Sequence, residues 1–193
     1  MATSDRNPQR AETGTQESLG QLGDAALIYA RNDIPVFPVW NPTEDGGCAC
    51  PRGLDCPHPG KHPITRRGFK DASTDPDIVR MWWTRHPRAN IGMATGSESG
   101  LLVIDVDSGK EGFENLAALI HCYGEWPQTP TVRTGGEGMH FYFRYPDNAE
   151  IRNDVGKKLG PGIDVRGEGG YVLLPPSVHA TRRVYEWVED ESG

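Results

Sequence analysis

The sequence lacks any apolar run long enough to span a membrane. It opens on no signal peptide or lipidation pattern, and we find no internal repeat. A Walker A motif is also missing, because Gly60-Lys61 lacks the upstream glycine spacing and is followed by His62 instead of Ser or Thr. We therefore expect a cytoplasmic protein without a membrane partner, and any P-loop ATPase must lie on another segment or protein.

Positive charge is scarce, with 20 Lys and Arg against 27 Asp and Glu and a formal net charge of −7. Proteins that coat nucleic acid non-specifically neutralise its phosphates with Lys and Arg, so this balance argues against that class. Five basic residues nevertheless fall in one short window: Arg52, Lys61, Arg66, Arg67 and Lys70. A local basic surface is therefore compatible with the acidic total.

Cysteine is also rare, yet three of the four cysteines lie within nine residues. Metal-ligand side chains in this segment are Cys48, Cys50, Cys56, His58 and His62. In a reducing compartment such a cluster indicates zinc and not disulfides. We predict a structural zinc loop over residues 46–63 that uses the three cysteines and His62, with His58 as the alternative fourth ligand. A loop with incidental cysteines is the other interpretation.

The length of 193 residues suits one domain with a sizeable core. Residues 1–16 are polar and are predicted to form a disordered leader. Residues 17–188 are predicted to form the domain, into which the zinc loop is inserted, and acidic residues 189–193 are expected to begin a linker. The remaining cysteine, Cys122, is predicted to be an ordinary buried thiol.

Hydrophobic periodicity and turn residues predict alternating helices and strands. Three helices are predicted. The first runs from an N-cap at Ser18 to about Asn32, the second begins near Asp75, and the third runs from Phe113 to about Gly124. Predicted strands are 34–40 at a sheet edge, 90–95 and 101–107 as one hairpin, 131–134 and 140–145 as another, and 163–166, 171–174 and 184–188.

Two carboxylates end the most hydrophobic strand. Strand-forming aliphatic residues run from Leu101 to Val106, interrupted by Asp105 and followed by Asp107. Because side chains alternate along a strand, both aspartates point the same way, and at 6 to 7 Å they repel by roughly 2 to 3 kcal/mol at an effective dielectric near 20. A divalent cation would offset this repulsion. The alternative is an acidic strand exit into a turn.

Other polar side chains lie on strands whose opposite faces are apolar. His140 follows a glycine-rich turn, and Asp164 shares a face with Arg166. If these strands form one sheet with Asp105 and Asp107, all five side chains converge on one cleft. Carboxylates would then hold divalent metal and the cations would hold phosphate, with a nucleotide between them.

These segments resemble the archaeo-eukaryotic primase superfamily, and most closely the bifunctional primase-polymerase domains of phage, plasmid and prophage replication proteins. The first motif of the family consists of two aspartates that alternate with hydrophobic residues, and residues 103–107 are similar to it. The second motif is a turn of small residues before a histidine, which residues 134–140 resemble. The third motif is a hydrophobic residue followed by Asp, which residues 162–166 resemble. Segments 60–63, 82–83, 90–92 and 175–179 are also similar. The resemblance covers about residues 20–188.

The resemblance implies an α+β fold, with a mixed sheet, flanking helices and a catalytic core like an RNA-recognition motif. It also implies template-dependent primer synthesis and extension, with single-stranded DNA template, primer strand and NTP or dNTP as substrates and a helicase domain C-terminal in the full-length protein. The implied catalytic residues are Asp105, Asp107, Asp164 and His140, of which the three aspartates would hold two Mg²⁺ or Mn²⁺ ions. The implied nucleotide-binding residues are Thr134, Gly138, His140, Arg166 and His179.

Two alternatives to primer synthesis are a nuclease and a module without catalytic activity. A metal-dependent nuclease would employ the same carboxylates with water as the nucleophile. A catalytically silent origin-binding module would use none of them for chemistry. For primer synthesis, the resemblance further implies that the zinc loop, with Arg66 and Arg67, holds the template or the initiating nucleotide.

Overall fold

The computed structural model describes residues 18–189, so the predicted leader and all but the first residue of the predicted linker lie outside the described residues. Within this range the α-helices are α1 (Gln21–Arg31), α2 (Pro76–Arg85) and α3 (Gly112–Tyr123). The strands in the same range are β1 (Val36–Val39), β2 (Asn90–Ala94), β3 (Leu101–Val106), β4 (Thr131–Arg133), β5 (Met139–Arg144), β6 (Asp154–Val155), β7 (Ile163–Arg166), β8 (Tyr171–Leu174) and β9 (Glu186–Trp187). No helix among the described residues combines the length and apolarity that a membrane crossing requires.

The strands form two sheets. One has six strands in the order β6-β7-β3-β5-β4-β9, and the other has three in the order β1-β2-β8. All pairs between these strands are antiparallel, whereas the resemblance implied a mixed sheet. The α+β class is confirmed, as are the edge position of β1 and the hairpin of β4 and β5.

The predicted hairpin of β2 and β3 is wrong, because these strands belong to different sheets. A single bridge joins Gly96 to Leu101, where the Gly96 amide donates to the Leu101 carbonyl at 2.8 Å. One residue earlier, the Thr95 amide donates to the Gly170 carbonyl and continues the pairing of β2 with β8. The chain therefore changes sheets at this turn, and β3 pairs with β5 and β7.

Strand β3 is packed on both faces. Val103 belongs to the larger apolar cluster, which joins residues of both sheets with α1 and α2 around the fully buried Trp83. Ile104 and Val106 belong to a smaller cluster that packs the opposite face against Leu116 of α3. Since each face is covered, the partly exposed residues of β3 lie near its two ends: Leu101, Leu102 and Asp105.

Two local predictions need correction. Ser18 is not the N-cap of α1, because its hydroxyl donates to Asp24 at 2.5 Å while Gly20 takes the N-cap position. Cys122 is exposed and not buried, because α3 turns other residues toward the core. The start of α2 is as predicted: the Asp75 side chain accepts from the Asp77 amide at 2.8 Å, directly before Pro76.

Candidate active site

Asp105 lies at the centre of the site because of how three strands pair. In the antiparallel register Asp105 is opposite His140 of β5 on one side and Asp164 of β7 on the other. Residues directly opposite each other on antiparallel strands share a face of the sheet. The sheet therefore brings together three side chains that come from three separate sequence motifs.

A guanidinium group and an imidazole contact the carboxylate of Asp105. Arg166 Nη2 donates to Asp105 Oδ2 at 3.1 Å and to Asp164 Oδ2 at 2.7 Å. These two carboxylate oxygens are therefore no more than 5.8 Å apart, the combined length of the contacts that they share. His140 Nε2 lies 3.4 Å from Asp105 Oδ1, with the imidazole itself buried.

Asp107 follows the end of β3 and is more exposed than the other two aspartates. Its side chain is 49 % exposed, compared with 18 % for Asp105 and 13 % for Asp164. Lys110 Nζ donates to Asp107 Oδ2 at 2.8 Å, and this hydrogen bond raises the pKa of the lysine. The sequence analysis did not identify Lys110, which is recognisable only from its position on the 3₁₀ turn after β3.

A cleft of about 860 Å³ collects most of the predicted residues. Those on its wall are Asp105, Asp107, Thr134, His140, Asp164, Arg166 and His179. Lys61 and His58 of the cysteine-rich loop also line it, as do Tyr171 and Tyr185. The cleft is therefore built from both sheets and from the loop that precedes α2.

The pKa values of Asp105 and Asp164 are shifted in opposite directions. Burial alone would raise the pKa of the Asp105 carboxyl group, but His140 and Arg166 hold that pKa well below its ordinary value. Burial also raises the pKa of Asp164, and although Arg166 opposes this, the charges of Asp105 and Asp107 raise it further. Such mutual repulsion among buried carboxylates favours a bound cation, and carboxylate oxygens are ligands that Mg²⁺ and Mn²⁺ prefer.

In the glycine-rich turn before β5, Gly138 makes close contacts within the protein. The Gly138 amide donates to Thr134 Oγ1 at 3.0 Å, and Gly138 is not among the residues that line the cleft. A Cβ at this position would lie 2.3 Å from the Val106 carbonyl oxygen, so glycine is required for close contact with β3. The Gly138 amide thus bonds within the protein, and the neighbouring Gly136 lines the cleft.

His179 reaches the cleft from the loop after β8. Its Nδ1 lies 3.2 Å from the Thr181 amide, which donates to it, and the Thr181 hydroxyl donates to the Gly135 carbonyl at 2.6 Å. Burial lowers the pKa of His179, and the positive charge of Lys61 lowers it further. The loop is thus tied to the glycine-rich turn, and its histidine faces the same space as Lys61.

The cysteine-rich loop brings four ligand side chains together: Cys48, Cys50, Cys56 and His62, whose donor atoms all lie within 4.8 Å of one another. His62 Nε2 is 3.4 Å from Cys48 Sγ and 3.3 Å from Cys56 Sγ. The three cysteines are buried, whereas His58 is outside this cluster and on the wall of the cleft. Three thiols and one imidazole at this spacing suit a closed tetrahedral zinc site.

Hydrogen bonds fix this loop to the three-stranded sheet. The Trp40 amide donates to the His62 carbonyl at 3.0 Å, and the Ile64 amide donates to the Pro38 carbonyl at 2.9 Å, so the loop returns along β1. The buried Asn90 side chain donates to the Gly60 carbonyl at 3.1 Å. The loop is therefore held beside the carboxylates by contacts with the three-stranded sheet.

Comparison with known proteins adds one match. The family model for the N-terminal domain of bifunctional DNA primase/polymerases matches residues 26–192, which include both the carboxylate site and the cysteine-rich loop. A search of curated proteins finds no match to this chain. The resemblance to this family is confirmed, and the chain belongs to the bifunctional DNA primase/polymerase family.

Proposed function

We propose that this chain is a template-dependent nucleotidyltransferase that synthesises primers and extends them during replication of a phage, plasmid or prophage. Membership of the primase/polymerase family supports the general activity. The observation that carries the specific proposal is the convergence of Asp105, Asp107 and Asp164 on one cleft beside His140 and Arg166. Carboxylates beside phosphate-binding cations are the combination that nucleotide addition requires.

The donor set of the cleft fits divalent metal. Oδ2 of Asp105 and Oδ2 of Asp164 both accept a hydrogen bond from Arg166 Nη2, so a positive charge already lies between these two carboxylates. We propose that Asp105, Asp107 and Asp164 hold two Mg²⁺ or Mn²⁺ ions. When bound, such ions lower the pKa of a primer 3′-hydroxyl and stabilise the charge that develops at the α-phosphate.

The residues around the carboxylates would position the substrates. His140 and Arg166 hold Asp105 between them, and together with Thr134 and His179 they would bind the phosphates of the incoming NTP or dNTP. The basic segment that contains the exposed Arg66 and Arg67 would contact the single-stranded DNA template. A helicase domain C-terminal to this chain would open the duplex.

The test is a primer-extension assay on the purified chain with a primed single-stranded DNA template, dNTPs and Mn²⁺. We expect extension products, and we expect Asp105→Asn to abolish them while Asp147→Asn, at an exposed position outside the cleft, retains them. Shortening of the primer without extension would instead indicate the nuclease. Equal behaviour of the wild type and Asp105→Asn would indicate a module in which this site performs no chemistry.

A further inference from the structure

Lys61 is a cation on the wall of the cleft for which no carboxylate partner is found. The other two lysine or arginine side chains there are paired: Lys110 with Asp107, and Arg166 with Asp105 and Asp164. Among the described residues, no carboxylate lies within ion-pair distance of Lys61, although its side chain lines the same space. Its ammonium group is therefore available to an anion that enters the cleft.

The backbone of Lys61 is fixed on both sides. Its carbonyl accepts a hydrogen bond from the Tyr171 hydroxyl at 2.6 Å, and its amide donates to the His58 carbonyl at 3.2 Å. The preceding carbonyl, of Gly60, accepts from the buried Asn90 side chain, and the following residue, His62, belongs to the cluster with the three cysteines. Only the flexible side chain of Lys61 is left to move.

Lys61 and His179 act on the same region of the cleft. Both side chains line the cleft, and the positive charge of Lys61 adds to the burial that lowers the pKa of His179. They come from different loops, and Asn90 bonds to both loops through the carbonyls of Gly60 and Val178. The two loops thus place a lysine and a histidine on one side of the space into which the carboxylates open.

We propose that Lys61 binds the polyphosphate of an incoming nucleoside triphosphate, with the cysteine-rich loop holding the lysine in position. This proposal rests on the proposed function, since it assigns the substrate phosphates to a part of the same cleft. A lysine ammonium group is a compact charge with three rotatable donors, which suits non-bridging phosphate oxygens of variable position. Arg166 differs from Lys61 in that its Nη2 already contacts two carboxylates.

The test measures binding of dATP and dAMP by calorimetry, without DNA, to the wild type, Lys61→Gln and Lys61→Arg. We expect Lys61→Gln to weaken dATP binding by about tenfold or more, as for the loss of a charged hydrogen bond, with a much smaller effect on dAMP. Lys61→Arg should retain most of the dATP affinity. The matched control is Lys70→Gln, at an exposed lysine of the same basic window that does not line the cleft.

Unchanged dATP affinity in Lys61→Gln would overturn the proposal, and so would equal losses for dATP and dAMP. Absence of dATP binding by the folded wild type would overturn it as well. If the wild type binds dATP in the expected pattern but extends no primer, the proposed function fails while the assignment of Lys61 stands. Circular dichroism of each variant establishes that the binding data come from folded protein.

Discussion

The buried side chain of Asn90 provides the sharpest test of how the cleft is held together. Asn90 is fully buried at the start of β2 and makes three hydrogen bonds to backbone groups. Its Nδ2 donates to the Gly60 carbonyl at 3.1 Å and to the Val178 carbonyl at 2.8 Å, and its Oδ1 accepts from the Val178 amide at 2.8 Å. One side chain thereby joins the loops that carry Lys61 and His179.

Asn90→Ala removes all three hydrogen bonds. At about 1 kcal/mol for each neutral hydrogen bond, the free energy of unfolding should fall by about 3 kcal/mol, and by more where the abandoned groups stay away from water. Domains are typically stable by about 5–15 kcal/mol, so the variant should still fold. With a urea m-value of about 2 kcal/mol/M, the midpoint of unfolding should move down by about 1.5 M.

Equilibrium urea unfolding, followed by circular dichroism, measures this change. Asn148→Ala is the matched control, because Asn148 is exposed and its side chain makes no hydrogen bond within the described chain; its effect should stay within about 0.5 kcal/mol. A loss below about 1 kcal/mol for Asn90→Ala would refute the reasoning, since it would mean that the two loops are held independently of Asn90.

Three further predictions concern the metal cluster, the carboxylates and the glycine turn. Freshly purified protein should contain about one zinc per chain by elemental analysis, and Cys50→Ser should lose it; less than about half an equivalent in the wild type would count against the zinc site. Asp164→Asn should abolish primer extension but leave the far-ultraviolet circular dichroism spectrum unchanged, and retained extension would argue that the other two carboxylates suffice. Gly138→Ala should lower the free energy of unfolding by about 2 kcal/mol or more, because the added Cβ meets the Val106 carbonyl oxygen at 2.3 Å. The control is Gly109→Ala, where the added Cβ meets nothing within 4 Å. Equal thermal midpoints of unfolding for the two variants would contradict the predicted role of Gly138.

The alternation of apolar and polar residues in the sequence predicts which face of each strand the polar side chains occupy. Alternation along β3 and β7 places Asp105 and Asp164 opposite their apolar neighbours, and the structure brings these two aspartates together with His140. Which strands are neighbours, however, depends on pairing between distant segments. The turn at Gly96 resembles a hairpin locally, yet β2 pairs with β1 and β8, and no local pattern reveals that preference.

Residues that act through the tertiary fold escaped the sequence analysis. Lys61 is 44 positions before Asp105, and only the return of its loop along β1 brings it to the cleft. The resemblance implies a role for Gly138 in nucleotide binding, and the structure adds that its amide and its missing side chain both serve contacts within the protein. The buried role of Asn90 was likewise invisible, because a polar residue at a strand start gives no sign of its partners.

The pairing of β3 with its two neighbours also determines which changes in chain length the protein can accept. The stretch 147–150, between β5 and β6, is exposed, so inserted residues there would bulge into solvent and leave the aspartates where they are. A slip of β7 by a single position would be far more damaging. It would turn Asp164 into the apolar layer under α3 and present Ile163 or Val165 to the cleft. The number of residues between the motifs can therefore vary, whereas the register of the strands that carry them cannot.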